Sequence, residues 1–179
     1  MAKVLWEYFG KVTASDIFDY GYGEAVDFLK KDYTEDQFDW VITNPPFRMA
    51  EDFIWEALRV SRIGVAMLTR TVFIESIGRY DRLFSRRPPT TFAQFTERVP
   101  MVKGRLDKRA STATGYSWII WRHDTAQAKQ LEWIAPCRKQ LERVGDYDKH
   151  VPRPQPKPPE QKDLFDVGPG SSGTAAADH

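Results

Sequence analysis

Hydrophobic positions along residues 1–145 fall into short runs of changing period. Val4, Leu5, Tyr8 and Phe9 recur at helical spacing within MAKVLWEYF, and Gly10 is a natural stop. KVTASDI reads as a short strand ending at Asp16. GYGE is a turn, and AVDFL is a second short strand. DWVIT is a third strand, broken at Asn44-Pro45-Pro46. MAEDFIWEALRVS predicts an amphipathic helix with Phe53, Ile54, Ala57, Leu58 and Ser61 on one face. RIGVAMLT is apolar almost throughout, as a strand covered on both faces would be. TVFIESIGRYDRLFSRR reads as a helix stopping before Pro88-Pro89. FAQFTERVPM and GYSWIIWR read as strands, and AQAKQLEWI as a final helix.

Strands alternating with helices predict an α/β fold, with a mainly parallel sheet and helices on both faces. Ligand sites in such sheets lie at the carboxyl ends of strands. Asp16, Asp27 and Asn44 all fall at or near predicted strand ends, so the sheet is expected to present one functional edge. From residue 151 the composition changes. VPRPQPKPPE holds five prolines in ten residues, and GPGSSGTAAADH is small and polar. Such a stretch cannot bury enough surface to fold. The expected organisation is a domain over residues 1–145 and a disordered tail over 146–179.

Charge changes the picture more than composition does. The net charge is only +1, yet residues 1–60 balance at −6 and residues 61–125 at +7. An acidic first part and a basic second part point to different partners, a polyanion suiting the second. A single cysteine, Cys137, excludes an internal disulfide and is read as structural. His123, His150 and His179 are scattered without ligand spacing, so no metal site is expected. No apolar run approaches the roughly 20 residues of a membrane span. With no signal-peptide pattern either, a soluble, cytoplasmic protein is expected.

The break Asn44-Pro45-Pro46-Phe47 is the stretch that carries chemistry. A planar amino group, such as the exocyclic nitrogen of adenine, delocalises its lone pair into the ring and is a poor nucleophile. Two acceptors placed at its protons would free that lone pair toward an electrophile. The side-chain oxygen of Asn44 and the main-chain carbonyl of Pro45 are suited to this. The prolines stiffen the loop and fix the acceptor geometry in advance. Phe47 offers a flat face to an aromatic base.

NPPF, VTASDI and VDFL in this order resemble the amino-group class of S-adenosylmethionine-dependent methyltransferases, in particular bacterial and phage-type DNA adenine methyltransferases. The ERVPM…KGR…STATGYSWIIW region is similar to phage-type members, so the resemblance covers roughly residues 1–145. It implies Asn44, Pro45, Pro46 and Phe47 as the catalytic loop. It implies Asp16, with Ile17, at the cofactor ribose, and Asp27, with Phe28, at the cofactor adenine. It also implies a Rossmann-like class I methyltransferase sheet and S-adenosylmethionine as the cofactor.

One departure from the family is large. Its glycine-rich loop and first strand should precede the opening helix, and this chain starts at that helix. The resemblance therefore implies a sheet truncated at the N-terminus. The missing strand would be central, between those ending at Asp16 and Asn44. Its loss would remove about ten ladder hydrogen bonds, each worth roughly 0.5–1.5 kcal/mol net.

Two further segments suggest partners. The connection Val102–Thr114 carries Lys103, Arg105, Lys108 and Arg109 beside several hydroxyl residues, which suits contacts to DNA phosphates. Above the catalytic edge it could hold DNA while the target base is flipped out. In the tail, QKDLF resembles the short peptides that dock on the bacterial sliding clamp, through Gln161, Leu164 and Phe165. The expected activity is methyl transfer to the adenine amino group of DNA. The alternatives are transfer to RNA guanine or protein glutamine, and a catalytically dead DNA-binding relative.

Overall fold

Strands β3 (Phe38–Thr43) and β4 (Ser61–Arg70) form a parallel pair linked by helix α2 (Ala50–Val60). They are seen in a computed structural model that describes residues 1–101, 109–124 and 129–147, all within a compact unit, Met1–Tyr147. The α2 helix has Glu51 and Asp52 in its first turn and Arg59 in its last, which complements its dipole. Ala50, Ile54, Ala57 and Val60 are buried on it, and Val65 and Met67 of β4 belong to the same core. Fully burying a side chain such as Ile54 or Met67 contributes roughly 1.5–3 kcal/mol. Phe53 and Leu58 pack only partly against that core, while Ser61 opens β4. Residues Gly64–Thr69 are buried without interruption, as the apolar run predicts for a strand covered on both faces.

The main sheet has five strands in the order β3-β4-β6-β5-β7, with β5 at Thr91–Phe95, β6 at Tyr116–Arg122 and β7 at Gln130–Ile134. The molecule is thus α/β, but the sheet is mixed rather than mainly parallel. Strand β6 runs antiparallel to both β4 and β5, because it follows β5 in sequence and inserts between them. The layering also differs from expectation. Helix α2, the short helix α3 (Ile77–Arg79) and its wider continuation Tyr80–Phe84 supply one face, where Leu83 and Phe73 join the core with Ile119 and Trp121. On the other face Trp40, Ile42, Leu68 and Trp118 border a cleft.

Several boundaries move. The predicted final helix AQAKQLEWI is instead strand β7 over its described part, parallel to β5 and in register from Thr91↔Gln130 to Phe95↔Ile134. Nine residues make a marginal helix alone, whereas an open strand edge satisfies the backbone at once. Strand β5 ends at Phe95 rather than running to Met101. Thr96 Oγ1 donates to the carbonyl of Ile134 (2.7 Å), and Glu97 Oε1 accepts from the N–H groups of Cys137 (2.6 Å) and Arg138 (2.7 Å), opening helix α4 (Arg138–Leu141). The long helix expected after β4 is broken. A 3-10 turn, Thr71–Ile74, precedes α3, and the Ser76 side chain caps Arg79 N–H.

At the N-terminus, helix α1 covers only Ala2–Leu5, and Val4, Tyr8 and Phe9 are exposed. Strands β1 (Ser15–Asp16) and β2 (Glu24–Ala25) are parallel and form a separate two-stranded sheet. Gly23, at φ +85°, lets the chain pass over the Ala14 carbonyl; a Cβ there would stand 2.4 Å from that oxygen. Strand β2 is shorter than AVDFL. Asp27 starts a turn instead, its Oδ1 accepting from Leu29 N–H (3.0 Å) and its carbonyl from Lys30 and Lys31 (both 3.1 Å). A run of ring contacts then ties this segment down, Phe28 to Tyr33 and Phe53, and Tyr33 to Phe38. Among the described residues β3 pairs only with β4, so its other edge is unpaired.

Candidate active site

Asn44 leaves the carboxyl end of β3 and is exposed, while Pro45 behind it is buried. The Pro46 carbonyl accepts from Met49 N–H (3.0 Å), and the Met49 carbonyl from Phe53 N–H (3.0 Å). The segment Asn44–Met49 is therefore one turn held between a buried proline and the start of α2. The two prolines leave the turn without N–H donors at 45 and 46. A bidentate pair fixes the other side of this helix start, with Arg82 Nε and Nη2 donating to Glu51 at 2.8 and 2.9 Å. That guanidinium holds the Glu51 carboxyl below its ordinary value of 4.5.

Phe47 is 42% exposed, and the Arg70 guanidinium lies over its ring, 4.2 Å from the centroid. Arg70 is the last residue of β4 and opposes Tyr116 of β6. The next residue, Thr71, donates its N–H to the carbonyl of Gly115 (2.9 Å) and its hydroxyl to Gln94 Oε1 (3.2 Å). The ends of β4 and β5 and the start of β6 thus meet beside the Asn-Pro-Pro-Phe turn.

A cleft of about 1080 Å³ opens between the two-stranded sheet and the β3 side of the main sheet. Asp16, Phe28 and Asn44 line it, with Trp40 and Ile42 sharing the Asn44 face of β3. Sequence reasoning therefore placed three of its candidates around one space. Ile17 and Asp27 are not among the lining residues. Ile17 is 62% exposed, and the Asp27 carboxylate is engaged by Leu29 N–H and, at 3.5 Å, by Lys30. Asp16 Oδ1 accepts from Phe18 N–H (3.0 Å). Tyr20, Tyr22 and Tyr33 also border the cleft and were not singled out from sequence.

Of the basic connection, Arg109 is described and exposed; Lys103, Arg105 and Lys108 lie outside the described residues, as do Gln161, Leu164 and Phe165. Among the described residues no three His, Cys, Asp or Glu side chains group as metal ligands, and no helix is long and apolar enough to cross a membrane. No family model, curated protein or solved structure matches the chain.

Proposed function

We propose that this chain transfers a methyl group from S-adenosylmethionine to the exocyclic amino group of adenine in DNA, on a Rossmann-like sheet of the amino-methyltransferase type. The observation that carries the reading is the sharing of one cleft by Asp16, Phe28 and Asn44, contributed by three separate segments. A carboxylate from a strand end suits ribose hydroxyls, and an aromatic ring suits a purine. A nucleoside-sized cofactor is compatible with the volume.

S-adenosylmethionine supplies an electrophilic methyl group when bound. The chain's own task is to prepare the acceptor. Asn44 Oδ1 and the Pro45 carbonyl accept the two amino protons, which draws the nitrogen toward a tetrahedral arrangement with its lone pair facing the cleft. The burial of Pro45 keeps those acceptors from reorganising during the reaction. Phe47 stacks the base and aligns the amino group.

The test is calorimetric titration of S-adenosylmethionine into the folded chain, followed by methyl transfer to adenine-containing DNA, guanine-containing RNA and glutamine peptides. Micromolar cofactor binding with transfer to DNA alone supports the reading. Transfer only to RNA or peptide would replace the acceptor. DNA binding without cofactor binding would leave a non-catalytic DNA-binding protein.

A further inference from the structure

The arginines of this molecule divide by the company they keep. Arg59, Arg62, Arg82, Arg122 and Arg143 each pair with a carboxylate. Among the described residues Arg48, Arg70, Arg79, Arg86, Arg87 and Arg98 do not, and of these Arg79 lies over the Phe73 ring and donates to the Phe73 carbonyl. Three of the six, Arg48, Arg70 and Arg98, lie on or beside the segments that meet at the Asn44 turn. Arg48 follows Phe47 directly. Arg98 donates to the Ala113 carbonyl (2.9 Å), and its guanidinium and Thr71 both crowd Gly115, where a Cβ would meet them at 3.3 and 3.0 Å. Arg70, next to Thr71, covers the Phe47 ring. One cation therefore covers a half-exposed aromatic ring, and two further arginines without a carboxylate partner belong to the adjoining segments.

We propose that Arg70 is a positioning residue that pins one face of Phe47 and leaves the opposite face for the planar base of a nucleic-acid acceptor, with Arg48 and Arg98 meeting its flanking phosphates. The proposal rests on the reading of Phe47 as the stacking residue and adds which groups set its orientation and select its substrate class. A guanidinium over a ring restricts the side chain before the substrate arrives, so less ordering is left for binding. The same cations raise the local concentration of a polyanion and give nothing to an uncharged glutamine side chain. Single-strand sites combine these two features, a stacking platform and a positive surround.

The experiment measures binding by fluorescence anisotropy, without cofactor, so that it stands apart from methyl transfer. The probes are a short single-stranded oligodeoxyadenylate and its abasic counterpart of equal length. Wild-type chain should prefer the base-bearing strand. In R70M that preference should fall by about tenfold, the scale of one base–aromatic stack. R70K, which keeps the charge without the planar guanidinium, should retain the salt dependence of wild type but only part of the preference. The R48M/R98M double variant should keep the preference and flatten the salt dependence. An unchanged preference in R70M, with its circular dichroism as wild type, overturns the role of Arg70. Failure of wild type to bind either strand overturns the nucleic-acid acceptor. Base-selective binding that depends on Arg70, in a chain that binds no S-adenosylmethionine, would sink the methyltransferase reading and leave this one standing.

Discussion

The indole of Trp40 lies against Gly64 so closely that a Cβ on Gly64 would stand 2.8 and 2.9 Å from two of its ring atoms. The two residues are register partners across β3 and β4. Their contact lets a large ring lie over the sheet beside the cleft without displacing β3. The same Cβ would meet the Trp121 carbonyl of β6 at 2.6 Å, so backbone as well as side chain would have to move. Gly64→Ala should destabilise the protein by about 2–3 kcal/mol, the upper range for overpacking a core. Adding Trp40→Leu should recover only part of this, because the backbone contact remains. Urea unfolding of the single and double variants measures both quantities.

The pair Glu51–Arg82 ties the start of α2 to the segment after β4 and should make stability depend on acid. The Arg82 guanidinium lowers the Glu51 carboxyl in the folded chain from an ordinary value of 4.5. Its contribution is therefore complete above about 4.5 and is lost as pH falls through the lower, folded-state value. Glu51→Gln should remove that contribution at neutral pH and flatten the acid limb of the stability profile. Thermal melts between neutral pH and strong acid, compared for wild type and variant, would show it. Parallel profiles would deny the pair a part in acid unfolding.

Thr69 Oγ1 and Ser117 Oγ are fully buried, opposite one another on β4 and β6, and find no hydrogen-bond partner among the described residues. Each carries a desolvation cost with nothing to offset it. Thr69→Val and Ser117→Ala should therefore be neutral or stabilising by up to about 1 kcal/mol each, where a bonded hydroxyl would be missed by that amount. A clear drop in melting temperature for both variants would reveal a partner such as a bound water.

If the proposed chemistry holds, Asn44 and Asp16 should separate catalysis from binding. Asn44→Ala removes an acceptor needed as charge develops on the amino group. It should cost about 100-fold or more in transfer rate, the usual scale for one such group, with cofactor affinity unchanged. Asp16→Ala should instead weaken cofactor binding by roughly 10–100-fold, as expected for hydrogen bonds to a charged group. Single-turnover transfer and calorimetry together distinguish the two patterns. Equal losses in both assays for both variants would contradict the division of roles.

Strands β3, β4 and β6 and helix α2 were legible from sequence because each carries its own signal. The apolar run of β4 suits a strand covered on both faces, and the prolines at 45 and 46 mark where β3 must stop. That Asn44 follows a strand end is equally local. What tertiary structure decided was everything that depends on a neighbour. Residues of AQAKQLEWI became β7 because β5 offered an edge, and β5 stopped at Phe95 because the residues after it turned to Ile134 and Cys137. Asp27 became a turn residue because β2 found only two paired positions. Arg70 met Phe47 because parallel pairing brings the ends of β3 and β4 to one edge. Periodicity reports which face of a segment avoids water; it carries no record of which distant segment will cover that face.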